Sequence, residues 1–465
     1  MKKLIVSMLV LAMLCGCSAE SNHRGEWSKE LESLMAEVNA EHEAIAKPEM
    51  VDFEQYISTP IGKPVSETAK PNEDGSFSLA QAEADINYLF EVLEKEYGLY
   101  DYYGEEAFLK AKEAALTACK SADNLNANSL YQIIYQELGF IVDNHFSINN
   151  MLTSSTMKSW KYPYYCETAT LNKTKDGYAN ADGKIITEVE GYENVEDAIK
   201  LCLSEEGELY YGFVLLKPVF DDKLKANGTV LFSVTYDDGS TEMFRANVHE
   251  MSDASHKKRK ELQLDWVNEI PVLTVKDFRN GMMKPYAEEM KESDAVVLNL
   301  QSNRGGYMDT CTAWYEGFCG EVPTSNNLMF YRDYKNALSH IPGYQKLNEE
   351  AAVMWSGEDK FVDNDRLVIL LTNKECASSG ELFTDMAHNL ENTLIIGENT
   401  AGALLNGYSD MRTLPYSKVL LQFGNSVHLW QEGYFEEGKG LEPDIWCPGW
   451  YAEEAVLKFI KNNVK

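Results

Sequence analysis

The chain has 465 residues, with 42 Lys and Arg against 74 Asp and Glu, for a formal net charge of −32. Such an acidic balance argues against a nucleic-acid-binding surface and against electrostatic adhesion to anionic lipid. The length predicts two or three domains around an ample core.

Residues 1–17 read as an export signal. Lys2 and Lys3 supply a basic start, and Leu4 to Leu14 form an apolar run too short for a stable membrane span. Leu14-Cys15-Gly16-Cys17 resembles a lipobox, the cleavage site of bacterial lipoprotein signals. Cleavage before Cys17 would leave a lipidated cysteine at the mature N-terminus. The expected location is the cell envelope, outside the cytoplasm, with the protein tethered to a membrane by lipid at Cys17. Nine cysteines are present. Outside the signal they are Cys119, Cys166, Cys202, Cys311, Cys319, Cys376 and Cys447, too widely spaced for a disulfide framework or a zinc-ligand cluster. They are expected mostly free and buried, with a single bridge left open.

Residues 18–77 read as a tether, with an early helix bearing Leu31, Leu34, Met35 and Val38 on one stripe. A Pro-, Ser- and Asn-containing linker follows from Pro48 to Gly75. Residues 78–150 read as a helical cap. Ser78 and Gln81 form a capping-box pattern ahead of Ile86, Leu89, Phe90 and Leu93, and further helices are predicted from about Glu105 to Lys120 and Ser129 to Leu138. Residues 151–265 turn β-rich, with one helix expected around Val195 to Leu203. The order of strand, turn and helix near Lys184 to Ile199 is loosely like a PDZ domain. From residue 266 to 465 strands alternate with helical sequence, which predicts an α/β layered sheet with crossover helices.

The most informative stretch is Lys374-Glu-Cys-Ala-Ser-Ser-Gly-Glu381, between the apolar run Leu367 to Leu371 and the amphipathic run Leu382 to Leu390. A strand, a tight turn of small residues and a helix would hold Ser378 at a corner, with free helix N–H groups beside it. An ordinary serine N-cap would give the same pattern. Three other segments accompany it: Asn303-x-Gly305-Gly306 after the strand Val296 to Leu300, Gly397-Glu398-x-Thr400-x-Gly402, and Gly440-x-x-Pro443-Asp444. A strand ending in Gly-Gly lets N–H groups reach a ligand with no side chain in the way.

In that order the four segments resemble the C-terminal processing, or tail-specific, serine peptidases, which share a catalytic core with tricorn protease. The resemblance covers roughly residues 266–448. It implies a crotonase-like layered αβ core, Ser378 as nucleophile, and an oxyanion hole from the backbone N–H groups of Gly306 (or Gly305) and Ser379. Many members carry a lysine base three residues after the threonine; here that position is Ala403, and Asn299 and Gln301 stand where Asp and Arg are usual. The tricorn-like branch instead takes its base from a histidine in an Asp-x-His motif. Asp143-Asn144-His145 fits it, with His428 as rival. That branch also implies a carboxylate near the histidine, Glu437 with Glu436 in reserve. Cys376 reads as a small buried neighbour. The tetrads Ser155-x-x-Lys158 and Ser255-x-x-Lys258 lack the motifs that would accompany them in penicillin-binding enzymes.

The expectation is therefore an exported lipoprotein serine peptidase using a Ser-His pair. It would act through an acyl-enzyme on extended polypeptides, with no cofactor or metal. A different class is the alternative: a peptidase-like protein that only binds peptides or other ligands. The small-residue turn and the Asp-x-His motif together favour the enzyme.

Overall fold

The computed structural model of the chain describes residues 25–46, 75–218, 228–249, 261–279, 283–332, 353–354 and 361–465. The signal segment with Cys17 and most of the linker lie outside these residues.

Helix α1 (Lys29–Glu43) starts at Ser28, whose Oγ accepts from the Leu31 N–H at 3.1 Å. Its stripe of Leu31, Met35 and Val38 is buried, with Trp27, against the strands of the main sheet. The described part of the segment read as a tether is thus a docked helix. Each such side chain contributes about 1.5–3 kcal/mol to that docking. Helices α2 (Leu79–Glu96), α3 (Glu105–Ser121) and α4 (Ala127–Glu137) follow. The capping box at α2 is formed: Ser78 Oγ accepts from the Gln81 N–H at 3.3 Å, and Gln81 Oε1 accepts from the Ser78 N–H at 2.8 Å. Ile86, Leu89, Leu93, Phe108, Leu130 and Ile134 pack the three helices into one core.

Among the described residues the main sheet has twelve strands. Its parallel heart is β1 (Ile270–Val275), β2 (Ala295–Asn299), β3 (Leu367–Thr372) and β4 (Thr393–Gly397), continued by Ile445–Trp446 and Ile199–Leu203. Residues alternate between two covered faces, which is why these strands read as unbroken apolar runs. Val296, Leu298, Val368, Leu370 and Ile395 face α5 (Met283–Met290), α6 (Met308–Phe318) and α7 (Ser379–Ala387). Val297, Ile369, Leu371, Leu394 and Ile396 face α1 and α8 (Ala452–Asn463).

The β-rich region joins this same sheet. Strand Ile199–Leu203 pairs in parallel with Ile445–Trp446 and antiparallel with Leu209–Pro218. The helix expected around Val195 to Leu203 is one turn, Val195–Ala198, followed by this strand. Ile199, Cys202 and Leu203 are buried by pairing on both sides, and that tertiary gain overrides the local helical pattern.

A second sheet is built on the hairpin β5 (Asn406–Thr413) and β6 (Leu420–Leu429). Strand β6 also pairs with Leu328–Tyr331 and with the short strand Ser147–Ile148. Its Leu421, Phe423 and Val427 enter the core of the helical cap. The seven cysteines among the described residues are free. Among those residues no helix is long and apolar enough to cross a membrane.

Candidate active site

Strand β3 ends at Thr372, and the chain turns through Asn373 to Ala377 before α7 begins. Ser378 sits at this corner with φ 55° and ψ −120°, a left-handed backbone conformation that costs an ordinary residue about 1–3 kcal/mol. Neighbouring groups hold it there. The Ala377 N–H donates to Asn303 O at 2.8 Å, and the Ser378 N–H donates to Glu381 Oε2 at 3.1 Å. The Glu381 N–H goes to the main-chain oxygen of Ser378 at 2.8 Å. Ser378 and Glu381 form a capping box in which the Ser378 side chain also faces this N–H, and the hydroxyl has a further partner.

That partner is His145. Its Nε2 lies 3.2 Å from Ser378 Oγ. His145 stands on a turn after α4 that Asp143 organises: Asp143 Oδ1 accepts the His145 N–H at 2.7 Å, and Oδ2 accepts from Tyr97 Oη at 2.9 Å and Asn406 Nδ2 at 2.8 Å. The next residue, Phe146, is buried in the cap core, and Ser147 pairs with Gln422 of β6. Burial pushes the His145 imidazole below its ordinary pKa, and the charge of Asp143 opposes this only in part. The ring is therefore neutral at physiological pH and can accept the serine proton.

Glu437 is buried at the site, but it does not bind the imidazole. Its Oε1 accepts from the Asn144 N–H at 2.8 Å and Asn144 Nδ2 at 2.9 Å, and its Oε2 accepts from the Leu405 N–H at 2.9 Å. His145 Nδ1 is buried without a hydrogen-bond partner. The arrangement is a Ser-His pair on a braced turn, and the carboxylate expected near the histidine meets its turn rather than its ring. The reason is local: the carboxylate reaches the turn one residue early, where two N–H donors of Asn144 point at it. Neighbouring Glu436 is exposed. His428, the rival base, is buried with Nε2 3.3 Å from Ser426 Oγ, and burial drives its pKa down to about 3. Cys376 is buried beside the corner, with its thiol pKa raised by burial.

The position where the resemblance would put a lysine is a buried alanine, Ala403, whose N–H donates to Glu381 Oε2 at 2.7 Å. Glu381 also accepts from Thr400 Oγ1 at 2.6 Å and the Gly402 N–H at 2.7 Å. One carboxylate thereby joins α7 to the Gly-Glu-x-Thr-x-Gly loop. Lys374, to which the sequence assigns no role, lies among backbone carbonyls. Its Nζ donates to the carbonyls of Thr400, Ala401, Gly438 and Lys439 at 2.7–3.2 Å. Burial lowers its pKa to about 7, while Glu381, Glu398 and Glu437 favour the charged form. With four carbonyls around it, the amine would have to aim its lone pair at an oxygen to act as a base. A lysine amid small turn residues was the one available signal for this clip. Asn144 could be seen only as the middle of its motif.

The glycine loop lies against the corner. Gly305 and Gly306 have φ of 89° and 145°, and a Cβ on Gly305 would sit 2.8 Å from Ser378 Cβ. The Gly305 N–H is taken by Asn303 Oδ1 at 2.8 Å. Ser379 Oγ donates to Gly306 O at 2.8 Å, which ties the start of α7 to the loop. Among the described residues the N–H groups of Gly306 and Ser379 have no hydrogen-bond partner, so this pair, and not Gly305, can face a developing oxyanion. Asn299 and Gln301 hold the C-terminal segment instead: Asn299 Nδ2 donates to Glu453 Oε2 at 2.8 Å and Gln301 Nε2 to Gly449 O at 3.0 Å.

Residues 269–447 match the family model of peptidase family S41. The chain is 22% identical over 241 residues to a protein of Staphylococcus aureus (strain N315) named "Probable CtpA-like serine protease", covering 51% of this chain and 44% of that protein. A protein of the same name from Staphylococcus haemolyticus (strain JCSC1435) is 20% identical over 206 residues, covering 43% of this chain and 36% of that protein. The chain thus spans less than half the length of these relatives. Among solved structures, mature CPAF complexed with lactacystin aligns at TM-score 0.42 and 12% identity over 83% of this chain and 98% of that one. The photosystem II D1 C-terminal processing protease aligns at TM-score 0.39 and 12% identity, over 79% and 93% of the two chains. Tricorn protease aligns at TM-score 0.38 and 11% identity, over 82% of this chain and 35% of that one.

Proposed function

We propose, from the match of residues 269–447 to the model of peptidase family S41, that the protein is a serine peptidase of the C-terminal processing type with a Ser-His base. The observation that carries the reading is the 3.2 Å approach of His145 Nε2 to Ser378 Oγ. In this scheme the Ser378 oxygen attacks a peptide carbonyl as its proton passes to His145 Nε2. The N–H groups of Gly306 and Ser379 stabilise the tetrahedral oxyanion. The imidazolium then gives its proton to the leaving amine, an acyl-enzyme remains on Ser378, and water activated by the neutral ring hydrolyses it. Asp143, Asn144 and Glu437 position the histidine.

The proposed substrates are extended polypeptides entering between the helical cap and the sheet, past the exposed Tyr307 beside the glycine loop. The proposed setting is the cell envelope, with lipid on Cys17 holding the chain to a membrane. The core is proposed to be crotonase-like, with the β-rich region a degenerate PDZ-like element.

The test is labelling with a serine-directed fluorophosphonate together with hydrolysis of an unstructured polypeptide. Wild type should label on the peptide containing Ser378, and Ser378→Ala should lose both label and hydrolysis while folding changes by no more than about 1 kcal/mol. His145→Ala should lose hydrolysis by about 10²–10⁴-fold. Labelling that persists in Ser378→Ala but vanishes in Ser379→Ala would move the nucleophile by one residue. No labelling and no turnover in wild type would favour the ligand-binding alternative.

A further inference from the structure

No metal is expected from the sequence, because no local spacing suggests one. The fold nevertheless gathers three metal-ligating side chains from distant segments. His42 lies in the last turn of α1, His388 caps the C-terminal end of α7, and Asp444 belongs to the Gly440-x-x-Pro443-Asp444 segment. One ligand atom from each lies within 4.8 Å of the others. Both imidazoles are buried, at 3% and 4% exposure, with ring centroids 4.6 Å apart and planes nearly perpendicular. We propose that His42, His388 and Asp444 form a binding site for a divalent transition-metal ion of the zinc type.

The surroundings already orient the donors as a metal requires. Tyr434 Oη donates its single proton to Asp385 Oδ1 at 2.7 Å and lies 2.7 Å from His388 Nδ1. With that proton committed to the carboxylate, His388 Nδ1 must itself be the donor to the tyrosine oxygen. Its Nε2 therefore carries a lone pair. Asp385 is fixed in turn by Ser325 Oγ at 2.5 Å and the Asn326 N–H at 2.9 Å. A carboxylate setting the tautomer of a histidine through an intervening group is the outer-shell support that zinc-ligating histidines use.

Asp444 is held likewise. Its Oδ2 accepts the Ile395 N–H at 2.7 Å, and its Oδ1 lies 2.9 Å from His42 Nε2. His42 Nδ1 is buried with no partner, an independent sign that this ring serves something besides its one contact. Zinc at about 2.0–2.2 Å from nitrogen and oxygen ligands places neighbouring donors roughly 3.3 Å apart. The short Nε2 to Oδ1 separation opens slightly and the widest separation closes, movements that side-chain rotation supplies. Binding replaces the proton between Nε2 and Oδ1 with the metal: a neutral His42 keeps that proton on Nδ1, and an imidazolium releases one to solvent. Two imidazoles and a carboxylate suit zinc better than calcium or magnesium, which take oxygen ligands. The ion would fasten α1 to the end of the helix whose other end bears Ser378, about 15 Å away along the axis.

The experiment is a Zn²⁺ titration of the tag-free, EDTA-dialysed full chain by calorimetry, with Co²⁺ absorption as a spectroscopic readout. It uses no hydrolysis signal and stands or falls apart from the peptidase reading. One equivalent should bind, raise Tm, and give Co²⁺ a tetrahedral spectrum. His388→Ala should lose the stoichiometric uptake and the Tm shift. His42→Gln keeps a donor toward Asp444 and so keeps α1 docked, and it should lose uptake while remaining folded. His145→Ala should bind as wild type does. The proposal is overturned by no stoichiometric uptake in wild type. Uptake that survives in both His42→Gln and His388→Ala, or that is lost only in His145→Ala, also overturns it.

Discussion

Glu437 grips Asn144 twice, at the main-chain N–H and at the side-chain amide, while its second oxygen holds the Leu405 N–H. The carboxylate fixes the turn that presents His145 and leaves the ring untouched. Glu437→Ala should therefore act through position. It should lower kcat by about 10–100-fold, the effect of moving a reacting group by a fraction of an ångström, with little change in KM. The orphaned N–H groups should also cost about 1–3 kcal/mol of stability in denaturant unfolding. Unchanged kcat would show that Asp143 alone sets the turn.

The pH profile of kcat/KM should have its acid limb below the value of about 6.5 of a free imidazole. Burial lowers the His145 pKa and favours the neutral, basic ring, so activity should persist into mildly acidic solution. Asp143 raises this pKa in opposition. Asp143→Asn should therefore move the limb further down in pH, whatever it does to the maximal rate. A wild-type limb above that of free imidazole would contradict the buried neutral base.

Lys374 clips two loops through four carbonyl oxygens. Lys374→Met should lower stability by roughly 2–4 kcal/mol, since hydrogen bonds to a charged group are lost while their acceptors stay buried. At a temperature where the variant is folded, fluorophosphonate labelling of Ser378 should continue. Abolished labelling in a folded variant would make Lys374, rather than His145, the base.

Cys17→Ala should release the protein from membranes into the soluble fraction on fractionation of the producing cells. Retention in the membrane would remove the lipid anchor from the proposal.

The nucleophile corner was legible because its determinants are contiguous: an apolar strand, small turn residues and a helix carrying Glu381. The glycine loop was legible for the same reason, down to the unbranched backbone it needs beside Ser378. His145 was legible through motif order, whereas the work of Asn144 and Glu437 depends on which donor a carboxylate meets in space. Helix α1 was seen as an amphipathic helix, but its docking was hidden because its partners, such as Val297 and Ile369, lie far along the chain. In the sequence the apolar residues of Ile199–Leu203 fit the helical period as well as the strand period. Only its pairing with Ile445–Trp446 decides between them.

Ser378 rises from the sheet core packed by Leu370, Phe383 and Met386, and His145 follows from a separate core of Leu93, Leu138 and Phe146. A nascent chain holding only one of these cores has no working pair. Because a displacement of about 1 Å can cost a hundredfold in rate, a chain whose cap has not yet seated is silent even with its serine in place. Hydrolytic competence would arrive late and all at once, after the two cores meet at Phe435, which packs against each. Under the proposed function, a peptidase assembled in this way would pass through its own synthesis without cutting what it meets on the way, and a nick that loosened the cap would switch it off before it unfolded.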